Sequence, residues 1–178
     1  MMSEEEGSLR LLTPGEIRLA KAVYGNSICY HKVWIHHDSY LPFGWQSKRY
    51  AMTPNGELYF REWYRDDYSQ CPRNEQHLFI HEMAHVWQRE RGMQVKLRGL
   101  FSWVVDYGYR LDGRKLCQYP LEQQAQIIAD NFVFEQYGFR EWLLLKTSNT
   151  VTMKNIIKGE NDLRPLYQIA LKNFPGGL

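Results

Sequence analysis

The chain has 178 residues, a formal net charge of +2 and 44% apolar residues, which sets one domain with a real core and excludes wholesale disorder. Its three cysteines, Cys29, Cys71 and Cys117, are odd in number and lack CxxC spacing, which argues against a disulfide framework and against a structural zinc knot. No apolar run approaches the length of a membrane span, and no secretory signal opens the chain.

The acidic start, Met1 to Ser8, reads as a frayed tail, with residues 1–10 as tail or linker and 11–178 as a single domain. Thr13-Pro14-Gly15-Glu16 is a capping box with proline at the first helical position, opening a helix to Tyr24 that Gly25-Asn26 stops. Ile28 to His36 alternates as a strand. Arg49–Met52 and Glu57–Phe60 flank Pro54-Asn55-Gly56, a hairpin signal. A helix spans Asn74 to Glu90, with Asn74 as a candidate N-cap. Residues 93–119, rich in Tyr, Trp and Gly, form a flap or cleft wall, and helices follow at about 120–137, 139–147 and 161–173. The fold class is therefore α+β: a small antiparallel sheet ahead of a mainly helical half.

The Asn74–Glu90 helix carries His81-Glu82-Met83-Ala84-His85, the HExxH pattern. Residues four apart share a helix face, so both histidines can reach one metal while Glu82 takes a proton from a water on it. Phe79, Ile80, Met83, Ala84, Val86 and Trp87 fall on one side of the wheel, and His77, His81, His85 and Gln88 roughly opposite. That division suits a metal helix at a cleft floor. The competing reading is a surface helix with two satisfied histidines.

Catalytic zinc takes three protein ligands and leaves one position open. The metzincin third histidine is absent: its glycine position holds Gln88 and its histidine position Arg91. His31, His36, His37 and His77 are candidates, but Glu122 is better placed. It heads a stripe of Ala125, Ala129 and Val133, and small residues beside a carboxylate permit close approach of a second helix. Asp130 and Glu135 are runners-up on the same helix. Tyr107, Tyr109, Tyr119 and Arg114 are candidate oxyanion donors. The basic stretch of Arg89, Arg91, Lys96, Arg98, Arg110, Arg114 and Lys115 reads as solvated surface, and nucleic acid is not expected as a partner.

The blocks Leu12–Ile17, Leu41-Pro42-Phe43, Met52–Gly56, Leu78–Gln88, Lys96–Leu100 and Glu122–Ala125 resemble a bacterial family of zinc metallopeptidase domains. These occur as C-terminal extensions of type VI secretion VgrG spike proteins and in Rhs-linked proteins. The resemblance implies a zincin-like fold, one zinc per chain on His81, His85 and Glu122, and Glu82 as catalytic base. It implies an antibacterial effector acting on a peptide or cell-envelope substrate in a target-cell periplasm. A parent spike protein and a cognate immunity protein are the expected partners. Without a signal peptide, the secretion machinery would carry it there. One departure stands out: Gln126 occupies the position where related enzymes often place an aspartate that orients a zinc histidine. The alternative is a catalytically silent zinc-bearing binding module, which would need the ligands but not Glu82.

Overall fold

The computed structural model describes residues 6–94 and 106–176. Its regular elements are β1 (Ser8–Leu11), α1 (Pro14–Tyr24), β2 (Trp34–His37), β3 (Leu58–Phe60), α2 (Arg73–Glu90), α3 (Leu121–Thr147) and α4 (Glu160–Ala170), joined by 3-10 turns and loops. The class is α+β, and no helix among the described residues is long and apolar enough to cross a membrane.

The capping box forms as its residues dictate. Thr13 Oγ1 accepts from the Glu16 N–H at 3.1 Å, and Glu16 accepts from the Thr13 N–H at 2.8 Å. The Glu16 carboxylate also accepts from both terminal nitrogens of Arg10 at 2.8 Å and from the Tyr68 N–H at 2.9 Å. One buried anion thus ties β1, α1 and the turn before α2 together. Gly15 is required there, because a Cβ would lie 2.1 Å from Ser69 Oγ. Residues 8–10 do not belong to a tail: β1 pairs along β2, with Ser8 opposite His37 and Leu11 opposite Trp34. Arg10, anchored on Glu16, holds this edge strand in place.

The sheet order is β1-β2-β3, and the expectation of an antiparallel sheet is corrected. β1 and β2 are antiparallel, whereas β2 and β3 run parallel, with Ile35 opposite Leu58. The turn at Pro54-Asn55-Gly56 yields only a single antiparallel bridge, Met52 to Tyr59, so β3 gives its other edge to β2. Gly56 sits at φ 86°, and a Cβ there would meet Arg89 Cδ at 2.7 Å. The strand expected over Ile28–His36 is shorter, because Tyr30–Lys32 winds into a 3-10 turn.

Aromatic rings link the sheet to α2: Phe60 to Tyr68 at 4.9 Å, then Tyr68 to Phe79 at 5.4 Å between centroids. The Tyr24 hydroxyl donates to the Ile80 carbonyl at 2.6 Å, docking α1 on α2. Helix α2 is capped by Pro72 rather than Asn74, which lies inside the first turn. Its polar side is not open as the wheel suggests. Every residue from Phe79 to Gln88 is buried, because α3 lies along that side. Ala125, Ala129 and Val133 have no exposed surface, and small side chains let the two helices approach. Gly138, at φ 85° and ψ 175°, breaks α3 where two helices were expected to meet.

Candidate metal centre

His81 and His85 project from one face of α2, their ring centroids 5.2 Å apart. Glu122 enters from the first turn of α3, the element that the alanine stripe draws against α2. Its Oε2 lies 3.3 Å from His81 Nε2 and 3.2 Å from His85 Nε2. All three donor atoms fall within 4.8 Å of one another. Bonds of about 2.0–2.1 Å to a tetrahedral ion imply ligand-to-ligand edges of about 3.3 Å. Both measured edges match that value, so the donor set fits zinc in spacing as well as in type.

The far sides of the rings are held. His81 Nδ1 is 3.2 Å from Gln126 Oε1, and His85 Nδ1 is 2.8 Å from Gln88 Oε1. Burial pushes the His85 imidazole down, but the Glu122 carboxylate outweighs it and brings the group up to about 9. Burial likewise opposes the Glu122 charge, and the two histidines, His85 foremost, hold its carboxyl well below the usual range. An anion that draws protons onto these nitrogens also draws a divalent cation.

Glu82 is buried, and its Oε2 accepts from the Thr53 hydroxyl at 2.6 Å. A cavity of about 260 Å³ opens beside it, walled by His77, His81, Glu82, Tyr107, Asn74 and Arg49 among others. His85 and Glu122 are not part of that wall. Tyr107 is the one oxyanion candidate that faces the cavity, its ring 5.8 Å from that of His81. Burial, then the Glu122 and Glu82 carboxylates, raises its hydroxyl well above the ordinary tyrosine value, so it stays a donor.

No family model matches the chain. It is 38% identical over 177 residues to the type VI secretion system spike protein VgrG2b of Pseudomonas aeruginosa, covering 94% of this chain and 15% of that protein. It also superposes on the solved effector domain of Pseudomonas aeruginosa VgrG2b with a TM-score of 0.65 and 38% identity, covering 85% of this chain and 88% of that one. The chain belongs to the VgrG2b effector-domain family. It spans about 15% of the spike protein's length, the part that corresponds to an effector domain.

Within this member of the family, the other candidates are committed elsewhere. Tyr109 donates to Asp130 at 2.7 Å and Tyr119 to the Arg110 carbonyl at 2.8 Å, so both serve packing rather than the cavity. Arg114 pairs with Asp112 at 2.9 Å and stacks over Tyr119. His36 pairs with Glu57, His37 stacks on Tyr64, and His31 lies beside Cys29. His77 lines the cavity but bonds Asp130 at 2.7 Å, and Glu135 is on the surface with Arg164. Asp130 is fully buried among His77, Tyr109, Gln126 and the Thr152 N–H. Lys96 and Arg98 of the basic stretch, like the Lys96–Leu100 block, lie outside the described residues. Sequence reasoning missed Thr53 and Gln88. Both sit in blocks that the sequence singled out, but a hydroxyl and an amide carry no spacing signature.

Proposed function

We propose that this domain is a zinc-dependent hydrolase, a metallopeptidase with a zincin-like fold and a Glu-zincin ligand set. One observation carries the reading: Glu122 Oε2 meets His81 and His85 Nε2 at 3.3 and 3.2 Å, all three donor atoms lie within 4.8 Å of one another, and Glu82 is in the adjoining cavity wall. His81 Nε2, His85 Nε2 and Glu122 Oε2 would hold the ion. Zinc bound there supplies a Lewis acid and a water acidified to a pKa of about 7.

The chain's own groups do the rest. Thr53 occupies one oxygen of Glu82, and the other accepts the proton of the attacking water. Glu82 then passes that proton to the leaving nitrogen. Tyr107, kept protonated by its surroundings, donates to the oxygen of the attacked carbonyl as charge develops there. Burial of Glu82 and both histidines strengthens these electrostatic contacts by excluding water.

Family membership supports the biological setting. We read the domain as an antibacterial type VI secretion effector, carried by a parent spike protein into a target-cell periplasm. Its substrate there is a peptide or another cell-envelope amide, and an immunity protein protects the producer. The test expresses the domain in a periplasm. Wild type should harm the cells, bind about one zinc per chain and lose that zinc in His81→Ala. Glu82→Ala should keep zinc, lower hydrolysis by about 10²- to 10⁴-fold and abolish the harm. Full toxicity of Glu82→Ala would instead establish a silent zinc-bearing binding module.

A further inference from the structure

The zinc histidines are gripped from behind by two glutamines rather than by a carboxylate. Gln126 reaches His81 from α3, and Gln88 reaches His85 from the next turn of α2. Which atom of each amide faces the ring follows from what lies on its other side. Gln126 Nε2 sits 2.9 Å from Asp130 Oδ1 and 2.7 Å from the Thr150 carbonyl. A carboxylate and a carbonyl only accept, so the nitrogen must face them and Oε1 must face His81. Gln88 Nε2 is likewise 2.8 Å from the Leu121 carbonyl and 3.3 Å from Gln124 Oε1, which leaves Oε1 for His85. Gln124 is itself oriented, because its Nε2 donates to the Tyr119 carbonyl at 2.8 Å.

An amide oxygen can only accept, so each ring must carry its proton on Nδ1. Nε2, the nitrogen that faces Glu122 on both histidines, is then the one left for a metal to take, displacing whatever proton the carboxylate holds there. We propose that Gln126 and Gln88 are positioning residues that fix the Nδ1–H tautomer of His81 and His85 and present both Nε2 atoms to the metal. Gln126 has a second duty that explains why it is not acidic. Buried Asp130 already accepts from His77, Tyr109 and the Thr152 N–H, and it accepts a further hydrogen bond from the Gln126 amide. A carboxylate at 126 would face Asp130 Oδ1 at hydrogen-bond distance with no proton between them. The amide accepts from the histidine on one side and donates to the aspartate on the other, relaying Asp130's grip to the metal ligand.

This inference rests on the zinc reading and is tested apart from activity. Zinc affinity is measured on the whole domain by competition with a chromophoric chelator. Gln126→Leu and Gln88→Leu should each weaken binding about 10- to 100-fold. Gln136→Leu, on the exposed side of α3, should leave it unchanged. Side-chain ¹H–¹⁵N spectra of the metal-free protein should show a proton on Nδ1 of His81 and of His85. Each leucine variant should shift its own histidine toward the Nε2–H form that free imidazole favours.

Gln126→Glu should lose folding stability, because a carboxylate there faces both Asp130 Oδ1 and the Thr150 carbonyl, and adding Asp130→Asn should recover only part of it by returning one donor to the pair. Gln88→Leu, which acts on the other histidine from α2, keeps the inference testable if Gln126→Leu fails to fold. Affinities within twofold of wild type together with unchanged tautomers would overturn the inference while leaving the zinc reading intact. A wild-type domain that binds no zinc would sink the zinc reading, and the tautomer spectra would still judge the glutamines.

Discussion

Two carboxylates organise this molecule, Glu16 buried and Glu122 partly buried, and their surroundings are opposite. Glu16 is surrounded by donors: two guanidinium nitrogens of Arg10, the Thr13 N–H and the Tyr68 N–H. Its charge is matched within the chain, and it holds three elements in place. Glu122 faces two imidazole nitrogens whose opposite sides are tied to amide oxygens. A buried polar cluster completed by its own donors is architecture. A carboxylate that meets two imidazole nitrogens at the spacing of zinc ligands, with protons a cation could displace, is what the proposed zinc site requires.

The sharpest break in the comparison is at Glu16. Glu16→Ala strips Arg10 of its partner and leaves two backbone N–H groups without an acceptor, so a loss of about 3–5 kcal/mol is expected in urea unfolding of the metal-free protein. A loss below about 1 kcal/mol would refute the structural role. Glu122→Ala should act chiefly on the metal. The metal-free fold should lose less than with Glu16→Ala, because only the pairing with His81 and His85 goes, while zinc binds more than about 100-fold more weakly, since even outer partners of a ligand cost about 10- to 100-fold. Equal destabilisation by both changes would erase the distinction. Thr53→Val removes the donor to Glu82 while keeping zinc. A fall in kcat of about tenfold with KM little changed is expected, the scale of one hydrogen bond to a charged group. A change in zinc content instead would place Thr53 with the metal rather than with the base.

How far these arrangements can be read from the chain depends on how local they are. The capping box at Thr13 and the stops at Gly25 and Gly138 are set within one helical turn, and the elements follow them. Glu122 was reachable because a helix repeats, so an alanine stripe names the side that another helix approaches. Other features turn on distant partners. β3 pairs parallel with the distant β2, while only one bridge forms across the Pro54–Gly56 turn. Among the three tyrosines, only the fold separates Tyr107 in the cavity from Tyr109 on Asp130 and Tyr119 on the Arg110 carbonyl. Gln126 reads in sequence as a missing aspartate. In space its amide meets both neighbours at once.

The smallest effect separates the two regions by pH. Beside Glu16, Asp67 Oδ1 accepts from the Ser69 N–H, the Ser69 hydroxyl and the Thr13 hydroxyl at 3.0, 2.6 and 3.0 Å. Burial opposes its charge, but these donors outweigh it and lower its carboxyl below the ordinary 3.8. A lowered acid stabilises the fold above its unfolded value and loses that contribution as pH falls through the folded one. The stability gap between wild type and Asp67→Asn should therefore be constant at neutral pH and close below about pH 4. The metal centre responds in another window. His85, raised from 6.5 to about 9 without metal, adds stability that is full below 6.5 and lost as pH rises through about 9. Zinc must displace that proton, so the stabilisation zinc confers should fall as pH drops through the same range. Thermal unfolding with and without zinc from about pH 2 to about pH 10 checks both. Architecture should fail only in acid, while the metal-linked term fades first, and a single shared transition would mean the two carboxylates belong to one network.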